Sequence, residues 1–257
     1  MRIARALLPN GDLTFGQVTD DRFQPLHGSP FSQPRQALPA AGQPLPLAEV
    51  RLLAPCQPSK VICVGRNYAE HAAEHGVDLP SEPLIFLKPP SAVVGPGDRV
   101  LLPALSQRVE HEAELTAVIG RRAHRLTLEN ALEAVLGYTC GNDVTARDLQ
   151  RRDGQWSRAK GFDTFCPLGP WIETDLDWRA QQVQCLVNGE VRQSGSTADM
   201  VFGLPELLVY VSAVMTLEPG DVLMTGTPSG VSPLHAGDQL VVSISGIGTL
   251  HNPVSAA

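Results

Sequence analysis

From Val109 to Gly120, VEHEAELTAVIG, charged and apolar positions alternate before the chain turns almost wholly apolar. Side chains of a strand point to opposite faces in turn. The pattern therefore predicts a strand with Glu110, Glu112 and Glu114 on one face and His111, Ala113 and Leu115 on the other. Residues 2–26 carry short apolar runs split at Asn10-Gly11 and Asp20-Asp21, the pattern of a small antiparallel meander. VICVG (61–65) reads as a buried strand, and YAEHAAEHG (68–76) as a short helix stopped by Gly76. GPGDRVLLP, EPGDVLMTG and HAGDQLVVS each set Gly-Asp before an apolar run and predict strands entered through tight turns. Helical periodicity appears in TLENALEAVL (127–136), with a Thr-x-x-Asn start, and in LPELLVYVSAVM (204–215). Short strands outnumber helices, so the fold class is α+β and strand-dominated.

Prolines 30, 34, 39, 44, 46, 55 and 58 leave little room for long elements and mark a linker ending near Ser59. The expected organisation is a small N-terminal β domain with its proline-rich linker, residues 1–58, followed by a larger domain, residues 59–257. With 43% hydrophobic and 18% charged residues the chain is globular rather than disordered. A net charge of -7 and a pI near 5.5 offer no basic footprint for nucleic acid or an anionic membrane, which leaves small molecules as the expected partners. The five cysteines form no C-x-x-C pair and sit in apolar surroundings, as expected of reduced thiols filling a core in a cytoplasm. LPELLVYVSAVMTL, the longest apolar stretch, is too short to span a bilayer, and the N-terminus lacks a sustained apolar signal region.

Carboxylates led into an apolar run cost several kcal/mol unless a cation or paired donors offset them, so the glutamates mark either a solvated strand face or a metal site. A second acidic cluster, CGNDVTARDLQRRDGQW, follows the strand-like GYTCG, and its Asp143 reads either as a helix N-cap or as a ligand. His71, Glu74 and His75 lie three and four residues apart on one helix face. They are either an exposed polar helix end or a general base with its orienting carboxylate. Lys160, between Phe162 and Phe165 and the acidic motif, would supply a fixed positive charge if it is drawn inward. In MTGTPSGV (224–231) backbone N–H groups and Thr227 would form a nest for a carboxylate.

Seven segments, GRNYAEHAAEHG, SEPLIFLKPPSAVVGPGD, HEAEL, NDVTARDLQ, WSRAKGFDTFCPLGPWI, VNGEVRQ and LMTGTPSGV, follow one another in the order found in the fumarylacetoacetate hydrolase family. The chain resembles that family over nearly all of residues 60–254, and more loosely its bacterial members before that. The resemblance implies a mixed β-sandwich roll with short helices and a homodimer. It implies Mg2+ or Mn2+ on Glu112, Glu114 and Asp143, His71 and Glu74 as a water-activating pair on a segment that closes over substrate, and Lys160 beside the metal. Arg66, Tyr68 and Thr227 would line the substrate site. Glu110 has no counterpart role and is expected to be solvated. Members that cleave fumarylacetoacetate carry an additional metal-binding Asp shortly before the histidine, which VICVGRNYAEH lacks. The implied activity is therefore that of shorter members. These hydrolyse a carbon–carbon bond of acylpyruvates or decarboxylate oxaloacetate through a metal-stabilised enolate, or act as 2-hydroxyhepta-2,4-diene-1,7-dioate isomerase/decarboxylases of aromatic catabolism. A sugar-acid dehydratase and a non-catalytic metal-dependent binding protein are the alternatives.

Overall fold

The computed structural model describes residues 1–32, 38–74, 76 and 78–257; Pro34 and His75 lie outside the described residues. The amino-terminal meander is β1 (Arg2–Leu7), β2 (Leu13–Thr19) and β3 (Arg22–Pro25), followed by β4 (Leu45–Pro46) and β5 (Arg51–Leu53). Then come β6 (Val61–Gly65), α1 (Ala69–Glu74), β7 (Leu84–Lys88), β8 (Val93–Val94) and β9 (Val100–Leu102). The acidic segment splits into β10 (Val109–Glu110) and β11 (Ala113–Ile119), and β12 (Val135–Asn142) and β13 (Thr145–Ala146) lead into α2 (Arg147–Asp153) and α3 (Ser157–Lys160). The remainder is β14 (Cys166–Glu173), β15 (Gln182–Val187), β16 (Glu190–Ser196), α4 (Leu204–Val214), β17 (Val222–Met224), β18 (Gln239–Ile244) and β19 (Gly248–Ala256).

Two sheets carry most of these strands. A large mixed sheet runs β4-β3-β2-β1-β14-β12-β11-β17-β6-β7, and a five-stranded sheet runs β16-β15-β18-β19-β9. The meander joins the large sheet directly, because β1 pairs antiparallel with β14 in the register Arg2↔Glu173. The small sheet covers the middle of the large one. Leu115, Ala117 and Ile119 of β11 meet Val183, Cys185, Val242 and Ile244 in one continuous buried cluster, and Val118, on the other face of β11, joins Val61, Cys63, Leu168 and Met224 in a second. Period-two alternation thus survives in a strand buried on both sides. Leu115 and Ile119 on one face and Val118 on the other, each worth roughly 1.5–3 kcal/mol when fully buried, make β11 a rigid support for whatever its end presents.

The three Gly-Asp turns share one construction. Asp98, Asp221 and Asp238 each accept, through a side-chain oxygen, the backbone N–H of the residue three earlier, while donating their own N–H to that residue's carbonyl. β9, β17 and β18 follow them, as the pattern predicts. The helix expected over 127–136 does not form. Asn130 instead accepts the Thr127 N–H in a turn, Ala131–Ala134 make one 3-10 turn, and Val135 and Leu136 are taken into β12. Pairing with β11 outweighs the local helical preference there. LPELLVYVSAVM does fold as α4. All five cysteines are free, buried thiols. Among the described residues, no helix is long and apolar enough to cross a membrane.

Candidate metal centre and active site

The strand register brings the acidic motifs together. β11 and β12 pair antiparallel with Ala113 opposite Asn142, and the Asp143 N–H continues the ladder onto the Glu112 carbonyl at 2.8 Å. Residues directly opposite in such a pair project to the same side, so Asp143 lies beside Glu112, and Glu114 follows two residues along. Ligand oxygens of Glu112, Glu114 and Asp143 all lie within 4.8 Å of one another, and the three residues are buried. Asp143 is no helix cap: α2 starts four residues later, with Ala146 at its N-cap.

Each carboxylate is stabilised differently. Lys160 Nζ bridges Glu112 at 2.8 Å and Asp143 at 2.6 Å, and Lys88 Nζ reaches the other Asp143 oxygen at 2.5 Å. Arg147, in the first turn of α2, bonds Glu112 through Nη2 and Glu110 through Nε at 2.7 Å. Glu110 also takes Arg108 Nε and is only 1% exposed. The expectation of a solvated Glu110 on the face of Glu112 and Glu114 is therefore corrected. The strand breaks at His111–Glu112, and Glu110 turns to the two arginines. Burial pushes the Glu112 carboxyl up, but Lys160 and Arg147 outweigh it and hold it well below the usual glutamate range. Burial pushes Glu114 up too, and there the negative charges of Asp143 and Glu112 add to it. Among the described residues, Glu114 has one hydrogen-bond donor, the Gly226 N–H at 2.7 Å, and no ion pair.

That buried carboxylate without a cation is where the cluster fits a metal ion. The donors are all carboxylate oxygens, with no cysteine or histidine among them, a set that suits a hard cation such as Mg2+ or Mn2+ and leaves about three of six octahedral positions for water or substrate. Bonds to Lys88, Lys160 and Arg147 do not exhaust the acceptor capacity, since each carboxylate oxygen has two lone pairs.

A cavity of about 190 Å3 opens over the carboxylates. His71, buried, lines it from α1, with Nδ1 3.4 Å from Glu74 Oε2. Burial lowers the His71 pKa, which favours the neutral imidazole, and Glu74 is in turn held by the Gly230 N–H at 3.2 Å. Phe86 and Trp156, packed edge to face at 5.1 Å, and the guanidinium-bearing Arg66 and Arg151 complete much of the lining. Arg66 adopts a left-handed φ of 58°, and its neighbour Asn67 is fully buried, bonding both backbone groups of Phe202 and the Thr225 carbonyl.

The other two residues expected in the substrate site stand differently. Thr227 lines the cavity, but its hydroxyl donates to the Ala113 carbonyl and accepts from Gln193, each at 2.8 Å. Tyr68 is buried outside the cavity lining, and its hydroxyl has no hydrogen-bond partner among the described residues. The nest expected in 224–231 does hold carboxylates, though they are the protein's own: Gly226 N–H serves Glu114 and Gly230 N–H serves Glu74. The motif reading gave no role to Lys88, Arg147, Asn67 or Gln193. For Lys88 the available signal was a lysine closing the apolar strand LIFLK.

A strand-built cluster of three carboxylates, with a buried histidine and three arginines around a small cavity, forms a candidate site for a metal ion and a small molecule. The chain belongs to the fumarylacetoacetate hydrolase family: the model described as fumarylacetoacetate (FAA) hydrolase C-terminal matches residues 60–255, and the Rv2993c-like N-terminal model matches residues 1–55. It is 48% identical to the crystallised 5-carboxymethyl-2-hydroxymuconate delta-isomerase from Mycobacterium smegmatis, with full coverage of both chains and a TM-score of 0.92. It is 45% identical to the human mitochondrial oxaloacetate tautomerase FAHD2A over 87% of this chain and 76% of that protein. The maleylpyruvate hydrolase from Sphingobium sp. SYK-6, solved with manganese and pyruvate, is 33% identical over 100% of each chain with a TM-score of 0.81.

Proposed function

We propose that this protein is a Mg2+- or Mn2+-dependent enzyme of small oxo acids, moving a proton at the carbon beside the 2-oxo group as a tautomerase or isomerase does. The observation that carries this reading is the buried His71, its Nδ1 3.4 Å from Glu74, facing a carboxylate cluster in which Glu114 has no ion pair among the described residues. Glu112, Glu114 and Asp143 would hold the divalent ion, and it would supply a Lewis acid that lowers the cost of negative charge on a 2-oxo acid.

The chain's own residues supply the rest. With Nδ1 turned to Glu74, Nε2 of His71 takes the proton, and Glu74 stabilises the imidazolium until the proton is returned. Lys160, 2% exposed, is a fixed positive charge next to the reacting centre that needs no reorganisation as negative charge develops. Phe86 and Trp156 exclude water on one side, while Arg66 and Arg151 attract carboxylates of the incoming acid. Helix α1 is the segment proposed to close over substrate, anchored at its start by Asn67.

A second reading is hydrolysis of a carbon–carbon bond in acylpyruvates, with oxaloacetate decarboxylation as a related outcome. The hydrolase solved with manganese and pyruvate favours it, since the same His71 would then take its proton from water. Steady-state rates on oxaloacetate enol and keto forms, hydroxymuconate-type acids and acylpyruvates, each with Mg2+, with Mn2+ and with chelator, test both. Metal-dependent interconversion of oxaloacetate tautomers or of a hydroxymuconate isomer is the expected result. Cleavage of acylpyruvates without isomerisation would select the second reading, and rates unchanged by chelator would refute both.

A further inference from the structure

Behind the metal centre a single side-chain amide ties two parts of the site together. Gln193 is the fully buried position of β16, whose neighbours are exposed or half-buried. Its Oε1 accepts the Ala113 N–H at 3.0 Å and meets His111 Nδ1 at 2.8 Å. Its Nε2 donates to Thr227 Oγ1 and to the Pro228 carbonyl, both at 2.8 Å. All four hydrogen-bonding capacities of the amide are used.

The bonds fix direction as well as position. Because Oε1 can only accept, His111 carries its proton on Nδ1, and Nε2, 2.8 Å from Ser232 Oγ, accepts from that hydroxyl. The chain of bonds runs from Ala113 and His111, the residues alternating with the metal-site glutamates, through Gln193 to residues 227–232. From that loop Gly226 N–H holds Glu114 and Gly230 N–H holds Glu74. Two glycines let the loop lie this close to β16. A Cβ on Gly195 would stand 2.5 Å from Pro228 Cβ, and one on Gly230, where φ is 97°, would stand 2.2 Å from the Arg192 carbonyl oxygen.

We propose that Gln193 is a positioning residue that locks the segment carrying Glu112 and Glu114 and the loop anchoring Glu74 into one unit, so that metal affinity and proton transfer depend together on this amide. The residue touches neither metal nor substrate. Its kinetic arm rests on the oxo-acid reading, whereas its metal-binding arm does not.

The test compares Gln193→Met, which removes all four bonds, with Gln193→Glu, which keeps the size and the Oε acceptor but loses both N–H donors to the loop. Mn2+ binding is titrated calorimetrically on each folded protein, and kcat and KM are measured at saturating Mn2+. Outer hydrogen-bond partners of metal ligands typically change affinity by about 10–100-fold, so Gln193→Met is expected to weaken Mn2+ binding about tenfold or more. Both variants should lose at least about tenfold in kcat at saturating Mn2+ with KM little changed, the mark of a misplaced His71/Glu74 pair. If Gln193→Met does not fold, Gln193→Glu decides alone through kcat, with full activity overturning the proposal. Mn2+ affinity and kcat both within twofold of the parent, with only a lowered melting temperature, would show a purely structural amide and overturn it. A parent protein that turns over no oxo acid would fault the oxo-acid reading, and the Mn2+ titration would still decide the role of Gln193.

Discussion

Replacing Glu110 by alanine isolates the ion pairs that alternation alone does not reveal. Its carboxylate, 1% exposed, accepts from Arg147 Nε at 2.7 Å and from Arg108 Nε at 2.5 Å. The Arg108 side chain is 48% exposed, so solvent screens that pair to below about 1 kcal/mol. The Arg147 side chain is 4% exposed and, among the described residues, keeps Glu112 and Gln150 as side-chain partners when Glu110 is removed. Breaking one side of a buried pair costs about 3–5 kcal/mol; the lower end applies here because Arg147 retains a carboxylate. For a chain of this size about 3 kcal/mol lowers the melting temperature by roughly 6–12 °C. Burial raises the Glu110 pKa, but the charge and hydrogen bonds of Arg147 and Arg108 outweigh it and leave it below the usual range. A carboxylate depressed in the folded state contributes stability that is present above its unfolded pKa and lost as pH falls through the folded one. The difference between parent and variant should therefore be full above about pH 5 and shrink below about pH 4. Thermal unfolding followed by circular dichroism at pH 7 and pH 3.5, with Arg108→Ala as the comparison, reads this directly. A Glu110→Ala protein melting within about 1 °C of the parent at pH 7, or an Arg108→Ala protein equally damaged, would refute the assignment of the stability to the buried Arg147 pair.

Two further substitutions separate proton transfer from support of the carboxylates. His71→Ala should keep Mn2+ affinity while lowering kcat by about 10² or more, and because burial lowers the His71 pKa, the parent's rate should fall only on the acid side of about pH 6.5. A calorimetric titration in which His71→Ala loses Mn2+ as severely as turnover would make His71 a ligand instead. Lys88→Met takes a fully buried cation from Asp143 and the Val144 carbonyl, and should destabilise the metal-free protein by about 3 kcal/mol, with added Mn2+ restoring part of the loss. Urea unfolding with and without Mn2+ checks it, and an unchanged midpoint in metal-free buffer would show that Lys160 alone suffices for Asp143.

Elements whose own sequence decides them were legible: the Asn10-Gly11 hairpin, the Gly-Asp turns before β9, β17 and β18, and α4 all rest on contacts within a few residues. TLENALEAVL failed because its fate is decided at a distance. Its second half carries helical spacing, but Val135 and Leu136 open a strand that pairs on both sides, with β11 and β14. A strand gaining two ladders outweighs one turn of helix propensity worth a few tenths of a kcal/mol per residue. The joining of β1 to β14 was likewise beyond a local pattern, since it links residues 172 apart through the terminal ammonium and Glu173 as well as through the ladder.

The site shows the same division at finer scale. Glu110, Glu112 and Glu114 look alike in an alternating string, yet one meets two arginines, one a lysine and an arginine, and one a backbone N–H. What separates them comes from Arg147, 35 and 37 residues away from Glu112 and Glu110, from Lys160, 48 away from Glu112, and from Gly226, 112 away from Glu114. Charge near a site is readable in one dimension because residue type is enough; partnership is not, because it depends on which strand lands beside which. Arg147 illustrates the point most sharply. A cation in the first turn of a helix opposes the helix dipole, so its placement there is locally unfavourable and acquires a reason only from the two buried glutamates it joins. A residue that contradicts its local rule inside an acidic motif is therefore the signal, present in NDVTARDLQ, by which the buried ion pairs around the carboxylate cluster could have been found.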